Sequence, residues 1–305
     1  MSNNILVIGG SYFIGRVFSQ SLAKTDGFSL HVLNRGRLPL NLLDVAEYKC
    51  DRHDGAALQN TLPAIRFDAV VDFCAYQKND VKTLLENIPG EVGQYIYISS
   101  CAAFKPSSDY PKTEDSPKVA SPAPGPAGEY ACAKALLEEE SAETCARNNI
   151  PLTIFRPTFV YGPYNYAPRE SYFFDLILSG KRIPHPKNNQ TLFQFVYVRD
   201  IARIITRCLC NQAVYENDYI LSAPELVCYD KLLKVLGQIS GKKPDTRLMS
   251  VNDIEKENIP LPFPLDGHEL FSGDKIACAL GFAYTPFEDG MKETFDFYRK
   301  YIYKE

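Results

Sequence analysis

The chain has 305 residues, 45% of them hydrophobic and 23% charged, and a formal net charge of −4. This length allows one large domain or two closely joined domains, and no apolar stretch approaches the roughly 18 residues of a membrane span. The mild acidic excess argues against a partner held mainly through its phosphates, so we do not expect a nucleic acid partner.

The first half of the chain alternates short apolar runs with helical patterns. The sequence predicts strands at 5–8, 29–33, 45–50, 67–73, 94–98 and 152–155, and helices at 13–23 and about 128–148. Because these strands are apolar without alternation and are separated by helices, they predict a parallel sheet covered on both faces. Right-handed crossovers make this a doubly wound, Rossmann-type α/β fold.

The regularity weakens after residue 162. Residues 192–221 return to sheet-like and helical patterns, whereas the Pro- and Ser-rich stretch 105–125 predicts a surface loop. We therefore expect a Rossmann domain of residues 1–162, to which 192–221 return, and a smaller, mostly helical domain of residues 163–191 and 222–305.

A glycine-rich turn follows the first predicted strand and opens the first predicted helix. Glycines let a backbone approach a pyrophosphate closely, and a helix N-terminus offers unpaired N–H groups and partial positive charge. The turn therefore predicts a dinucleotide phosphate site, with an ordinary strand-to-helix turn as the alternative. The expected contacts are Gly9, Ser11, Tyr12, Phe13, Ile14 and Gly15.

The second predicted strand ends in Asn34, Arg35, Gly36 and Arg37. A site that prefers NAD usually carries an acidic residue here, which binds the adenosine ribose. The neutral Asn34 beside two arginines instead favours a 2′-phosphate, so we expect NADP to be preferred over NAD. The alternative is that both arginines are simply solvated.

Tyr130 and Lys134 form a YxxxK motif on the long predicted helix. Residues four apart share one helix face, so both side chains can reach the same cofactor. An ordinary tyrosine has a pKa near 10, and a neighbouring ammonium would stabilise the phenolate. The pair is therefore suited to general base catalysis, and the lysine can also bind the nicotinamide ribose.

Together these segments resemble the extended short-chain dehydrogenases/reductases, and in particular the NAD(P)-dependent epimerase/dehydratase family. Residues 156–163 resemble the family segment RPxxVYGP, and residues 195–202 resemble its segment VxxVxDxA. The glycine motif is atypical, because Tyr12 replaces its middle glycine. The resemblance implies a dinucleotide-binding first domain with Asp51 at the adenine, and a substrate-binding second domain. It also implies a catalytic Ser100, with Ser99 as the alternative, beside Tyr130 and Lys134.

The resemblance further implies that Tyr130 takes a proton from a sugar hydroxyl while hydride passes to the nicotinamide. Family 4,6-dehydratases follow the catalytic hydroxyl with an Asp-Glu pair, whereas this chain has Cys101 and Ala102. We therefore expect an epimerase or ketoreductase that acts on a nucleotide sugar or similar polyol. The alternative is a dinucleotide sensor or an RNA-binding protein, since chloroplast stem-loop RNA-binding proteins share an altered glycine loop.

The expected substrate contacts are Ser100, Cys101, Asn165, Gln194 and Arg247. Gln194 stands where many relatives place an arginine that clamps the diphosphate. The candidate replacements for that cation are Arg169, Lys181, Arg182 and Arg247. A buried, purely structural Cys101 is the alternative for that residue. The resemblance also implies a homodimer that packs through the YxxxK helix.

Nine scattered cysteines without a CxxC pair favour reduced thiols over a disulfide framework. The strand-like run begins almost at the first residue, which leaves no room for a signal peptide. We therefore expect a cytoplasmic protein. The four histidines lack ligand spacing, so no metal site is expected.

Overall fold

The computed structural model describes residues 2–187 and 190–303. Its centre is a seven-stranded sheet with strand order β10-β6-β5-β4-β1-β2-β3. All neighbouring pairs in this sheet are parallel. The strands are β1 (Asn3–Ile8), β2 (Phe28–Asn34), β3 (Ala46–Lys49), β4 (Ala69–Asp72), β5 (Tyr95–Ile98), β6 (Leu152–Pro157) and β10 (Asn217–Leu221).

Both faces of the sheet are buried, as the apolar strands predicted. In β1, Ile5 and Val7 pack into one hydrophobic cluster, whereas Leu6 and Ile8 pack into another. The first cluster includes α1 (Phe13–Leu22) and α6 (Val198–Cys208). The second includes α2 (Gly55–Thr61), α3 (Asp80–Asn87) and α4 (Pro126–Asn148). The Rossmann-type, doubly wound fold is confirmed.

The strand order reverses at β1, which pairs with β2 on one side and with β4 on the other. In open parallel sheets, ligands bind beyond the carboxyl ends of the strands at such a reversal. The connections after β1, β2, β3, β4 and β5 therefore position any site of this fold.

The remaining elements contain helices and two short pairs of parallel strands. One pair is β7 (Phe159–Tyr161) with β9 (Phe195–Tyr197), and the other is β8 (Ile183–Pro186) with β11 (Thr246–Met249). The helices are α5 (Glu170–Leu178), α7 (Tyr229–Ser240), α8 (Val251–Lys256), α9 (Asp274–Leu280) and α10 (Phe287–Tyr298). Strand β10 rejoins the central sheet, but β9 pairs with β7 instead. The proposed domain boundaries remain a prediction.

Candidate active site

A cleft of about 880 Å³ lies at the reversal of strand order. Its walls come from the glycine-rich turn, from the ends of β2 to β6, from α4 and from residues 165–169. The cleft therefore gathers segments that are far apart in the sequence. These include every residue that the sequence analysis assigned to the dinucleotide.

Close packing explains the glycines of the turn. Gly9 has a φ of +81°, and a Cβ at Gly15 would lie 2.4 Å from the carbonyl oxygen of Gly9. Helix α1 begins after Tyr12 without a side-chain cap. The first N–H groups of a helix have no partner within the helix, so those of α1 stay available to a ligand.

The aromatic ring of Tyr12 contacts that of Tyr166 at the mouth of the cleft. Their centroids are 4.8 Å apart, and the two residues are 51% and 62% exposed. Tyr12 thus leans toward the segment after β7. Both residues line the cleft.

The turn after β2 is held by Asn34. Its Oδ1 accepts a hydrogen bond from the Gly36 N–H at 2.6 Å, and its Nδ2 donates to Glu47 at 3.4 Å. Arg35 and Arg37 line the cleft beside it. Among the residues that the structure describes, neither arginine has a carboxylate within salt-bridge distance. In the described part of the chain, this end of the cleft therefore presents two arginines without an ion-pair partner.

Asp51 follows β3 and lies in the same part of the cleft. Its carboxylate accepts hydrogen bonds from the backbone N–H of His53 and from its Nδ1 at 3.1 and 2.7 Å. These two hydrogen bonds hold the pKa of Asp51 below its usual value. The carboxylate is therefore an ionised acceptor near neutral pH.

A buried ion pair that the sequence analysis missed lies under this end of the cleft. Arg52 donates to both carboxylate oxygens of Asp72 at 2.8 Å, and the Tyr95 hydroxyl donates to Asp72 at 2.7 Å. Burial opposes ionisation of Asp72, but Arg52 outweighs it and lowers the pKa of that carboxyl. The pair fixes the end of β4 against the loop after β3.

Ser100 and Tyr130 meet in the cleft. Loss of solvent around the phenol raises the pKa of Tyr130, while the polar side chain of Ser100 opposes the shift. Tyr130 is nevertheless 40% exposed as a residue, so a ligand can reach it. The alternative, Ser99, is buried, and its hydroxyl donates to Glu138 at 2.6 Å. The geometry therefore favours Ser100.

Lys134 is only 2% exposed, although it also borders the cleft. Its ammonium donates to the carbonyl oxygens of Ala75 and Ile98 at 2.9 Å. It also lies over the rings of Tyr76 and Tyr97, 4.6 and 4.9 Å from their centroids. Burial lowers the pKa of Lys134 to about 8. The ammonium is thus held by carbonyls at the ends of the strands.

A second network of buried ion pairs, which was also not predicted from the sequence, lies on the same face of α4. Glu138 accepts two hydrogen bonds from Arg156 at 2.7 and 2.8 Å, and Lys118 pairs with it at 2.7 Å. Tyr130, Lys134 and Glu138 are spaced four residues apart, so they form one stripe of the helix. That spacing was the signal that could have predicted Glu138.

Asn165 lies in the cleft as expected, but its amide is already engaged. Its Nδ2 donates to the carboxylate of Glu170 at 3.0 Å, and its Oδ1 accepts from the N–H of Ala167 at 3.1 Å. Glu170 is buried and also accepts from the N–H of Gly162 at 3.2 Å. Asn165 therefore shapes the segment after β7.

Three other expected substrate contacts lie outside the cleft. The Cys101 thiol is buried and donates to the carbonyl oxygen of Arg156 at 3.1 Å. The buried amide of Gln194 donates to Ala223 and accepts from the N–H of Phe271. Arg247 pairs with Glu257 on the surface. In each case the side chain has an internal partner, so the structure does not bring these three residues together with the rest of the expected site.

Within residues 2–187 and 190–303, no group of three or more His, Cys, Asp or Glu side chains is arranged to hold a metal ion. In the same part of the chain, no helix is both long and apolar enough to cross a membrane.

The sheet, its reversal point and the cleft define a Rossmann-type protein of the extended short-chain dehydrogenase/reductase kind. The family model for the NAD dependent epimerase/dehydratase family matches residues 5–221. The chain belongs to that family.

Three known proteins show the range of its relatives. A chloroplast stem-loop binding protein of 41 kDa from Arabidopsis thaliana is 29% identical over 91% of this chain and 74% of its own length. A UDP-glucuronic acid 4-epimerase from Bacillus cereus, in complex with NAD, has a TM-score of 0.77 at 18% identity, covering 99% of this chain and 98% of the epimerase. A dTDP-glucose 4,6-dehydratase from Bacillus anthracis, also with NAD, has a TM-score of 0.78 at 19% identity with the same coverage.

Proposed function

We propose that the protein is an NAD(P)-dependent epimerase or ketoreductase that acts on a nucleotide sugar or similar polyol through a transient keto intermediate. The observation that carries the proposal is the meeting of Ser100 and Tyr130 in the cleft that the glycine-rich turn opens. The epimerases and dehydratases with the same fold support this class of reaction.

The cleft fits a dinucleotide. The uncapped start of α1 would face the pyrophosphate, and Asp51 would accept hydrogen bonds from the adenine at the opposite end from Tyr130. The bound nicotinamide would accept or return hydride, and its oxidised form would favour the phenolate. The residues that would hold the dinucleotide are Gly9, Ser11, Tyr12, Phe13, Ile14, Gly15, Asn34, Arg35, Arg37, Asp51, Tyr130 and Lys134.

We further propose a preference for NADP over NAD. Asn34 is neutral and its amide is used by Gly36 and Glu47, so it cannot bind a ribose diol as a carboxylate at this position would. Arg35 and Arg37 line the cleft with free donors that suit a phosphate.

Within this site, Tyr130 holds the proton that is exchanged with the substrate hydroxyl. The phenol is protonated in the free protein because its pKa is raised, so it begins as an acid in the direction of ketone reduction. The Ser100 hydroxyl would hydrogen-bond the substrate oxygen. The buried, positively charged Lys134 provides the field that stabilises the phenolate when the proton leaves.

An epimerase or ketoreductase is favoured over a dehydratase because no carboxylate follows Ser100. Cys101 is buried and Ala102 has no ionisable group. Elimination of water would need an acid and a base at these positions.

The test has two stages. Fluorescence titration with NADPH and NADH should show saturable binding, tighter for NADPH. Turnover is then measured with a panel of nucleotide sugars. Tyr130→Phe should lower kcat by about 100- to 10,000-fold and still bind the cofactor, because the ring and the other proposed dinucleotide contacts remain.

The matched control is Tyr301→Phe, which removes an exposed hydroxyl near the end of the chain. It should leave turnover unchanged. Full turnover in Tyr130→Phe would contradict the role of Tyr130 as the acid–base catalyst. Absence of dinucleotide binding would contradict the whole proposal.

A second candidate function is RNA binding, favoured by the similarity to the stem-loop binding protein over 91% of this chain. A gel-shift titration with an RNA stem-loop separates the two. Micromolar RNA binding that persists at physiological salt, together with failure to bind NADPH or NADH, would favour this candidate. RNA binding beside dinucleotide binding without turnover would instead indicate a sensor.

We also propose a homodimer in the cytoplasm. Helix α4 exposes Leu136 on its outer face, which suits packing against a second copy, and all nine cysteines are free, which suits a reducing compartment. A monomeric mass in light scattering at micromolar concentration would contradict the dimer.

A further inference from the structure

Arg169, Lys181, Arg182 and Arg247 are the four candidate cations for binding an anionic group of the substrate, and their surroundings in the structure differ. Arg182 pairs with Asp245 at 3.2 Å and Arg247 pairs with Glu257 at 2.9 Å, both on the surface. Lys181 is exposed and does not line the cleft. Only Arg169 of these four lines the cleft.

Arg169 immediately precedes α5 and is partly buried. Its guanidinium lies 5.7 Å from the centroid of the Phe159 ring, and one nitrogen donates to the carbonyl oxygen of Val160 at 3.4 Å. The neighbouring Glu170 carboxylate is instead taken up by Asn165 and by the N–H of Gly162. Across the residues that the structure describes, Arg169 has no carboxylate within salt-bridge distance. Its charge is therefore held in place without an ion pair.

The other cations of the cleft either have partners within the protein or lie far from Tyr130. Arg52 is paired with Asp72, and Lys134 donates to two backbone carbonyls. Arg35 and Arg37 lie in the turn after β2, at the end where the adenosine would bind. Arg169, in contrast, lines the cleft on the segment after β7, together with Tyr130 on α4, and its charge opposes the rise in the pKa of Tyr130 that burial causes.

We propose that Arg169 binds an anionic group of the substrate, a phosphate or a carboxylate, at the Tyr130 end of the cleft. A guanidinium offers paired N–H donors in a planar fork that matches either anion. Since Val160 and Phe159 hold the arginine, it would bind without ordering a long flexible side chain first. The inference rests on the proposed function only for the substrate class, a sugar that carries such a group.

Two sources of the anion are possible in that class: the diphosphate of a nucleotide sugar and the carboxylate of a uronic sugar. Three probes distinguish them in calorimetric titrations of the protein saturated with NADP⁺. UDP carries the diphosphate, glucuronate carries the carboxylate, and uridine carries neither.

The substitutions are Arg169→Gln, Arg169→Lys and the control Arg182→Gln, which removes the same charge outside the cleft. Arg169→Gln should weaken binding of UDP or of glucuronate by about tenfold or more, and leave uridine within about twofold. Arg169→Lys should be intermediate, and Arg182→Gln unchanged. An effect on UDP identifies a phosphate, and an effect on glucuronate identifies a carboxylate.

Equal affinity of wild type and Arg169→Gln for both anions would overturn the proposal. So would the failure of both anions to bind the wild type at about 10 mM, a concentration at which even a weak ion-pair site is occupied. If no sugar of the panel is turned over but anion binding still depends on Arg169, the proposed reaction fails and the anion site stands. Unchanged thermal unfolding of Arg169→Lys excludes misfolding as the cause.

Discussion

The two sides of the cleft each rest on a buried carboxylate, and the two carboxylates differ in their partners. Asp72, under the proposed dinucleotide side, is paired with the Arg52 guanidinium, which lowers its pKa. Among the described residues, the hydrogen bonds to Glu170, behind the proposed substrate side, come from neutral N–H groups, and burial raises its pKa. Both carboxyl groups are buried, yet their pKa values shift in opposite directions. The charge of the partner therefore decides the direction of the shift.

The largest effect should come from breaking the ion pair. Asp72→Asn removes the charge that compensates the buried Arg52, so the free energy of unfolding should fall by about 3–5 kcal/mol. Urea denaturation measures this loss. The control is Asp245→Asn, which breaks an exposed pair with Arg182 and should cost about 0–1 kcal/mol. Similar small losses of unfolding free energy in both variants would show that the buried ion pair matters no more for stability than the exposed one.

The pH dependence of stability should have opposite signs on the two sides. The folded pKa of Asp72 lies below its unfolded value, so its stabilisation is present above the unfolded pKa of about 3.9 and is lost as the pH falls. The folded pKa of Glu170 lies above its unfolded value of about 4.3, so its contribution is lost as the pH rises.

Urea titrations between about pH 2 and 7 measure both trends, because the contribution of Asp72 changes only below about pH 5. The advantage of wild type over Asp72→Asn should grow with pH, and its advantage over Glu170→Gln should shrink. If the difference in unfolding free energy between wild type and variant changed with pH in the same direction for both variants, the two carboxyl groups would not differ in the sign of their pKa shifts.

The smallest effect should come from Glu170→Gln at neutral pH. The amide keeps an acceptor for Asn165 and Gly162 and introduces no charge defect, so stability should change by less than about 1 kcal/mol. Glu170→Ala is the contrasting variant. It leaves both N–H donors unpaired and should cost about 1–3 kcal/mol. Equal losses in the two variants would mean that the negative charge itself is needed.

How much the sequence could predict differs between the two sides. The glycine-rich turn and the Tyr130–Lys134 pair line the same cleft, and each could be recognised from the sequence because it is a local pattern whose geometry is set by a few neighbouring residues. The ion pair of Arg52 with Asp72 was missed, since it forms between the loop after β3 and the end of β4. No local pattern marks such a contact.

The substrate side could not be predicted in the same way. Cys101 directly follows Ser100, yet its thiol turns inward to the carbonyl of Arg156. Gln194 and Arg247 were chosen from their positions in the chain, which do not show which way a side chain faces. Helix α3 was missed because its start is capped from a distance: the Glu140 carboxylate on α4 accepts from the N–H groups of Asn79, Val81 and Lys82.

The contact between Tyr12 and Tyr166 has a kinetic consequence. It joins the glycine-rich turn to the segment after β7, so a bulky molecule that passes between these segments has to separate the two rings. A pair of aromatic rings contributes about 0.5–1.5 kcal/mol, which corresponds to a slowing of roughly two- to tenfold. For such a molecule, we expect the Tyr12–Tyr166 pair to slow entry and exit modestly, without blocking either.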